Sequence, residues 1–167
     1  EPDRWGRVRA GVEASVADAQ AVEMERNAAE SSLAARVCKS WFNLCEANQQ
    51  NLLAAEAHEV RKRTLESIRS KFELALSVEG GNASDLRLAE TDIATSLANK
   101  AQRQGEVDAA KRQLELLLGR YPSGIIGGRM ELPKLPARPP AGLPSELLMR
   151  RPDVLAAERK YASAGIR

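Results

Sequence analysis

One interval of this sequence contains no helix-breaking residue and is unusually long. Neither proline nor glycine occurs between Gly11 and Gly80. A continuous helix over residues 12–79 would be roughly 100 Å long. Because helices of globular proteins seldom exceed about 25 residues, the interval predicts a coiled coil or a helical shaft. A helix of this length cannot bury itself in one small domain, so it needs a partner.

The apolar residues of this interval recur at helical spacing. One heptad position is apolar at both ends of the interval and polar in the middle, which a coiled-coil seam tolerates at some cost in stability. A water-lined wall would produce the same pattern. The residues at this position are Val37, Leu44, Asn51, His58, Leu65 and Phe72.

A second helix is predicted to follow a short turn. The pair Gly80–Gly81 ends the first helix, and Asn82 and Asp85 bear the short oxygen-containing side chains that cap a helix start. The second helix runs from about residue 84 to residue 118, where Gly119 stands at the position of a C′ glycine. It is roughly 50 Å long, so it covers about half of the first helix. We expect the other half to pack on a partner outside this chain.

The remainder of the chain has a different composition. Prolines and glycines are frequent from residue 119 to residue 144 and indicate an extended connector, whose Leu132, Leu135 and Leu143 we expect to dock on a surface. The prediction is an all-α fold, a long coiled-coil-like antiparallel hairpin followed by a connector and a short C-terminal helix. Its segments are the hairpin 1–118 (helix about 8–78, tip 78–84, helix about 84–118), the connector 119–144 and a further helical start at 145–167.

Composition excludes several classes of function. Lys and Arg total 25 against 23 for Asp and Glu, and the two signs are interspersed, so the basic stripe of a nucleic-acid binder is missing. No run of 18 apolar residues occurs, as a membrane-spanning helix would require. The six aromatic residues, two each of Phe, Trp and Tyr, are few for a compact core. We expect both ends of the sequence to be internal points of a longer chain.

The sequence contains no recognisable catalytic, metal or cofactor motif. His58 is the only histidine, and it lacks Cys or carboxylate partners at ligand spacing. Cys38 and Cys45 lie about 10 Å apart if the segment is helical, which exceeds the reach of a disulfide. The prediction is therefore a protein that is not an enzyme and binds no cofactor or nucleic acid.

A motif near the C-terminus gives the sequence a family resemblance. Residues 143–154 read LPSELLMRRPDV, and this stretch resembles the segment that opens the second structural repeat of TolC/NodT-type outer-membrane factors. Similar stretches occur in the family's order at the start of the long helix, around Trp5, at the hairpin tip, around Phe72 and Asp85, and at the end of the hairpin, around Gly119. The resemblance covers the whole chain with short gaps.

The resemblance implies a larger assembly. Members of the family are trimeric efflux channels of the outer membrane, with a lipid-anchored N-terminus, and work with a periplasmic adaptor and an inner-membrane pump, often of the RND type. This chain would be a helical segment of the channel in the periplasm. It would contact the membrane only through a part of the protein that is absent from this sequence. The implied function is export of drugs or other small molecules.

The resemblance also suggests functional residues at the tip. Asp85 matches an aspartate that helps keep the periplasmic end closed, although an acid at a helix start is also favoured by the helix dipole. Ala75 replaces a glycine usual in the family, and about four extra residues, 78–81, lengthen the tip. The residues predicted to contact the adaptor, rather than only to pack between helices, are Leu74, Leu76, Ser77, Leu86, Arg87 and Leu88.

Two other interpretations remain open from the sequence. The long hairpin could belong to a periplasmic adaptor of the membrane-fusion type, or to a purely structural coiled coil. Adaptor hairpins are flanked by glycine- and valine-rich lipoyl-like halves, whereas this hairpin is flanked by Trp5 and by a proline-rich connector. The LPSELLMRRPDV motif argues against a simple coiled coil.

Overall fold

The computed structural model describes most of the chain and is all-α, as predicted. No strand occurs among the described residues, and none of their helices is long and apolar enough to cross a membrane. The described residues are 5–76, 82–127, 131–138, 142 and 144–166, without the side chains of Ala75, Leu76, Pro144 and Leu147. They form the helices α1 (Arg7–Leu76), α2 (Ala83–Leu117), α3 (Pro144–Arg150) and α4 (Pro152–Ile166).

The two long helices contain most of the described residues. Helix α1 contains 70 residues and is therefore about 105 Å long. Helix α2 contains 35 residues, and Asn82 is its N-cap. The side-chain Oδ1 of Asn82 accepts a hydrogen bond from the backbone N–H of Ser84 at 3.0 Å, which satisfies a donor that the helix leaves unpaired. Residues 78–81 of the predicted tip lie outside the described residues.

Helix α2 ends in a Schellman motif. The backbone N–H of Gly119 donates to the carbonyl of Leu116 at 3.0 Å, and that of Arg120 donates to the carbonyl of Glu115 at 2.9 Å. Gly119 has a φ of 68°, a left-handed conformation that costs glycine little because it has no Cβ. Gly119 therefore stands at the C′ position of α2.

The chain divides into two compact units, and residues Val37–Pro133 form the first, here called the hairpin unit. In this unit α1 and α2 are antiparallel, since Asn51 bonds to Gln104 while Arg69, later in α1, pairs with Glu90, earlier in α2. The predicted heptad positions face the seam between the helices. The apolar core of the seam consists of Leu44, Val107 and Leu114, with Val37, Trp41, Ala47, Ala110 and Ile126 packed against it.

Residues Glu1–Arg36 and Lys134–Arg167 form the second compact unit, here called the terminal unit. Small residues are buried on both α1 and α4 in this unit. They are Ala14, Ala17 and Ala21 on α1 and Ala156 and Ser163 on α4. An ion pair between Glu25 and Lys160 continues this contact. The expectation that this half of α1 packs only outside the chain is therefore wrong for its alanine face. Small side chains let the two backbones approach closely, so a short helix suffices to cover that face.

The valine face of the same half of α1 remains exposed. Val12, Val16, Val22 and Leu33 are all exposed, as expected for a helix whose partner on this side is not part of the chain. Leu132 and Leu135 of the connector are exposed as well, so their expected docking does not occur here, and Leu143 lies outside the described residues. An extended segment buries a side chain only where it meets another surface, and among the described connector residues Ile126 packs on the core cluster.

The motif at residues 150–153 forms the turn between α3 and α4. Arg151 donates from Nε and Nη2 to the two carboxylate oxygens of Asp153, at 3.1 Å and 2.6 Å. The backbone N–H of Leu155 donates to the carbonyl of Arg151 at 3.1 Å, which forms the first turn of α4. The division into hairpin, connector and second-repeat start remains a prediction.

Candidate functional site

The candidate site lies at the end of the hairpin unit where α1 ends and α2 begins. Asp85 stands in the first turn of α2, and its side chain is exposed. It borders a groove of about 430 Å³ between the two helices. The residues lining this groove are Arg61, Thr64, Ile68, Asp85, Leu88, Ala89 and Asp92.

The charged residues that line this groove differ in whether they form an ion pair. Arg61 lies 3.8 Å from the carboxylate of Asp92, so the one basic residue of the groove already has an acidic partner in the same chain. Asp85 forms no ion pair with any residue that the structure describes. Its position in the first turn also places it near the positive end of the helix dipole.

The predicted contact residues divide into exposed and packed side chains. Leu74 is 69% exposed and Leu88 is 64% exposed, whereas Leu86 is half-buried in the hairpin and Arg87 is exposed. Ser77 and the side chain of Leu76 lie outside the described residues. Of the leucines whose side chains are described, Leu74 and Leu88 present apolar surface to solvent, and Leu86 belongs to the hairpin's own packing.

Polar side chains also bridge α1 and α2 between the tip and the core cluster. Asn51 donates from Nδ2 to Oε1 of Gln104 at 3.0 Å, and Gln104 in turn donates from Nε2 to Asp108 at 3.2 Å. His58 bonds to Ser96 at 2.9 Å. The polar heptad positions seen in the sequence thus find partners across the seam, which fixes the register of the two helices.

The structure also reveals a residue that sequence reasoning missed. Glu115, in the last turn of α2, is only 3% exposed. Its carboxylate accepts backbone N–H bonds from Gly124 at 2.7 Å and from Ile125 and Ile126 at 3.0 Å each. The hydroxyl of Ser123 lies 3.3 Å from the same carboxylate. Successive N–H groups around a left-handed residue form a concave anion-binding nest, here occupied by the chain's own carboxylate.

These hydrogen bonds determine the acidity of Glu115. The N–H of Gly124 is the main cause that lowers the pKa of this carboxyl below the ordinary glutamate value of 4.5, and burial opposes the shift. Hydrogen bonds to the charged form favour that form. The sequence offered one signal, an acidic residue just before the helix-ending glycine and a Pro-Ser-Gly turn just after it, but many exposed glutamates stand in comparable positions.

The described residues provide little for metal or thiol chemistry. No group of three or more His, Cys, Asp or Glu able to hold a metal occurs among them. Cys38 is exposed and Cys45 is buried, and both are free thiols. Burial raises the pKa of the Cys45 thiol, so this group is a poor nucleophile and ligand.

The sequence profile of the family described as "outer membrane efflux protein" matches residues 3–120 of this chain. The chain belongs to the outer membrane efflux protein family. This membership favours the channel over the adaptor hairpin and the simple coiled coil as an interpretation of the sequence.

Named relatives agree with the family assignment. The cation efflux system protein CusC of Escherichia coli O6:H1 is 30% identical over 170 residues, which cover 97% of this chain and 35% of CusC. A solved membrane protein from Pseudomonas aeruginosa is 26% identical with a TM-score of 0.86, covering 98% of this chain and 37% of that one. The open-state MtrE outer membrane channel of Neisseria gonorrhoeae is 32% identical with a TM-score of 0.77, covering 98% and 36%. The outer membrane efflux protein segment described here thus spans about a third of the length of its relatives.

Proposed function

We propose that this chain forms part of the periplasmic helical wall of a trimeric outer-membrane channel. The complete protein conducts drugs or other small molecules out of the cell, together with a periplasmic adaptor and an inner-membrane pump. In this role the chain is not an enzyme, and it binds neither cofactor nor nucleic acid. The pump selects the cargo, and the wall provides the path.

The observation that carries this proposal is the unequal length of the two long helices. Helix α1 has 70 residues and α2 has 35, so α1 extends well beyond its partner. Its exposed valine face, with Val12, Val16 and Val22, has no cover among the described residues, and soluble monomers rarely expose large contiguous apolar patches. A wall built from neighbouring hairpins supplies that cover along the whole of α1.

Asp85 is proposed to help close the periplasmic end of the channel. Arg61 is already paired with Asp92 within the groove, so the available partner for Asp85 is a basic residue on a neighbouring hairpin. An ion pair suits a gate, because removing one member of a partly buried pair leaves the other charge unpaired. Such a closure opens when water or a docking partner separates the two charges.

The exposed leucines near the tip are proposed to receive the adaptor. Leu74 and Leu88 present apolar surface close to the free end of the hairpin, and Arg87 adds an exposed charge beside them. The end of a tube is the part that a coaxial partner can reach. An adaptor helix with apolar residues at helical spacing fits this surface.

Single-channel conductance of the intact protein in planar bilayers tests the gate. We expect Asp85→Ala to raise the conductance of the closed state, since about 1.4 kcal/mol shifts the open population tenfold. Glu106→Ala is the control, because Glu106 pairs with Arg103 of its own helix and does not line the groove, and this variant should leave the closed state unchanged. Equal conductance of Asp85→Ala and wild type would remove Asp85 from the gate.

Adaptor binding is tested with two exposed leucines of the same helix. Leu88→Glu should weaken capture of the adaptor by the intact channel, whereas Leu97→Glu, at a comparably exposed leucine farther from the tip, should not. Bilayer conductance of both variants reports whether the channel still assembles. Equal adaptor binding by both variants would contradict docking at the tip.

A further inference from the structure

Two adjacent isoleucines in the connector differ in how far they are exposed to solvent. Ile126 packs against the core cluster of Leu44, Val107 and Leu114, while the preceding Ile125 is 81% exposed. In an extended chain successive side chains point to opposite sides, so a shift of one residue exchanges the two. Because both side chains are isoleucine, hydrophobic burial by itself does not choose between the two registers.

The hydrogen bonds of Glu115 do distinguish the registers. Its two carboxylate oxygens accept the backbone N–H groups of residues 124, 125 and 126 together with the Ser123 hydroxyl. Gly124 has a φ of 74°, a conformation that favours glycine. The shift that buries Ile125 in place of Ile126 would move Gly124 out of this position and place Ser123 in it, and a residue with a side chain is sterically costly at this φ.

Glu115 is itself held firmly in place. It is buried, and its backbone carbonyl accepts the N–H of Arg120 in the Schellman motif that ends α2. The same residue therefore ends the helix with its main chain and holds the connector with its side chain. The carboxylate is fixed relative to α2, which also supplies Val107 and Leu114 to the core cluster.

We propose that Glu115 is the residue that sets the register of the connector and selects Ile126, rather than Ile125, to close the base of the hairpin seam. The negative charge is essential to this role, because four donors converge on the two oxygens and a carboxylate accepts at all of its lone pairs. A glutamine would direct an NH₂ group at some of these donors. Charge-assisted bonds of this kind are also about twice as strong as neutral ones.

Cysteine accessibility in the intact protein tests the register. Ile125→Cys and Ile126→Cys are introduced separately, and alkylation is measured by mass spectrometry of the peptide that carries each position, so that native Cys38 does not interfere. With Glu115 present, the residue at 125 should react at least about tenfold faster than the residue at 126, in keeping with the dependence of thiol reactivity on exposure. In the Glu115→Gln background this ratio should fall towards one.

Glu106→Gln provides the matched control on the same helix. Glu106 is held by Arg103 and Gln102 of its own helix, so its neutralisation should leave the labelling ratio unchanged. Hydrogen exchange of the amides of residues 124–126, measured without any added cysteine, should accelerate in Glu115→Gln and not in Glu106→Gln. A labelling ratio and amide protection that survive Glu115→Gln would overturn the proposal, as would equal labelling of the two positions with Glu115 present.

Discussion

The ring nitrogen Nδ1 of His58 lies 2.9 Å from the hydroxyl oxygen of Ser96, across the seam of the hairpin unit. The same hydroxyl donates to the carbonyl oxygen of Ile93 at 2.8 Å. A serine hydroxyl has one proton but can also accept, so this geometry suits the imidazole tautomer that carries its hydrogen on Nδ1. The lone histidine of the chain is therefore a structural bridge between α1 and α2.

This bridge predicts a measurable contribution to stability. Ser96→Ala removes the acceptor of His58 and should lower the free energy of unfolding by about 0.5–1.5 kcal/mol. Ser70→Ala is the control, because Ser70 is exposed and bonds only to the carbonyl of Glu66 in its own helix. Urea denaturation followed by circular dichroism gives both values, and equal effects of the two substitutions would contradict the bridge.

Leu44 should be among the residues most sensitive to truncation in the hairpin unit. It is fully buried in the cluster with Val107 and Leu114, so Leu44→Ala should cost about 2–5 kcal/mol. Leu53→Ala, at an exposed leucine of the same helix, should change stability by less than about 0.5 kcal/mol. Thermal denaturation compares the two variants, and similar melting temperatures would show that the cluster does not stabilise the hairpin.

The Glu115 nest predicts a pH dependence with a defined sign. Its hydrogen bonds lower the pKa of the carboxyl below 4.5, so the folded state binds the proton more weakly than the unfolded state does. The stabilisation is fully present above about pH 4.5 and is lost as the pH falls through the lowered folded value. Urea denaturation of wild type and Glu115→Gln should show a difference that shrinks on acidification. A difference that stays constant from neutral pH to about pH 3 would contradict this prediction.

The two cysteines should differ in reactivity and should not pair with each other. Cys38 is exposed, whereas Cys45 is fully buried and its thiol pKa is raised by burial. Maleimide should therefore label Cys38 at least about tenfold faster than Cys45, and denaturation should abolish the difference. Because the two residues lie about two helical turns apart, a Cys38–Cys45 disulfide in a non-reduced digest would contradict the helix.

The exposed valine face of α1 predicts self-association of the 167-residue chain expressed by itself. Val12, Val16 and Val22 are exposed on that face, and contact between two copies would remove this apolar surface from water. Sedimentation should show dimers or larger species, and Val12→Glu combined with Val16→Glu should shift them towards monomers. Gln20→Glu adds charge at an exposed polar position and serves as the control. A wild-type chain that stays monomeric at high concentration would contradict the prediction.

The sequence by itself determined the elements of this fold. The absence of Pro and Gly between Gly11 and Gly80 predicted one long helix there, and Asn82 and Gly119 flank α2 within a residue or two. These features act through local sterics and hydrogen bonding of the backbone, which depend on neighbouring residues in the chain. The heptad pattern likewise predicted which side of α1 faces α2, and Leu44 on that side packs in one cluster with Val107.

Only the tertiary structure decided which side chains meet across distance. The sequence showed a glutamate at position 115 and two equivalent isoleucines, and the folded connector turned these into a nest with one partly buried and one exposed isoleucine. The sequence likewise places valines and alanines on different sides of the first half of α1. In the terminal unit it is the alanines that are buried. Such pairings depend on where the chain returns in space, because a buried hydrogen bond or a close helix contact forms only when distant segments approach to within a few ångströms.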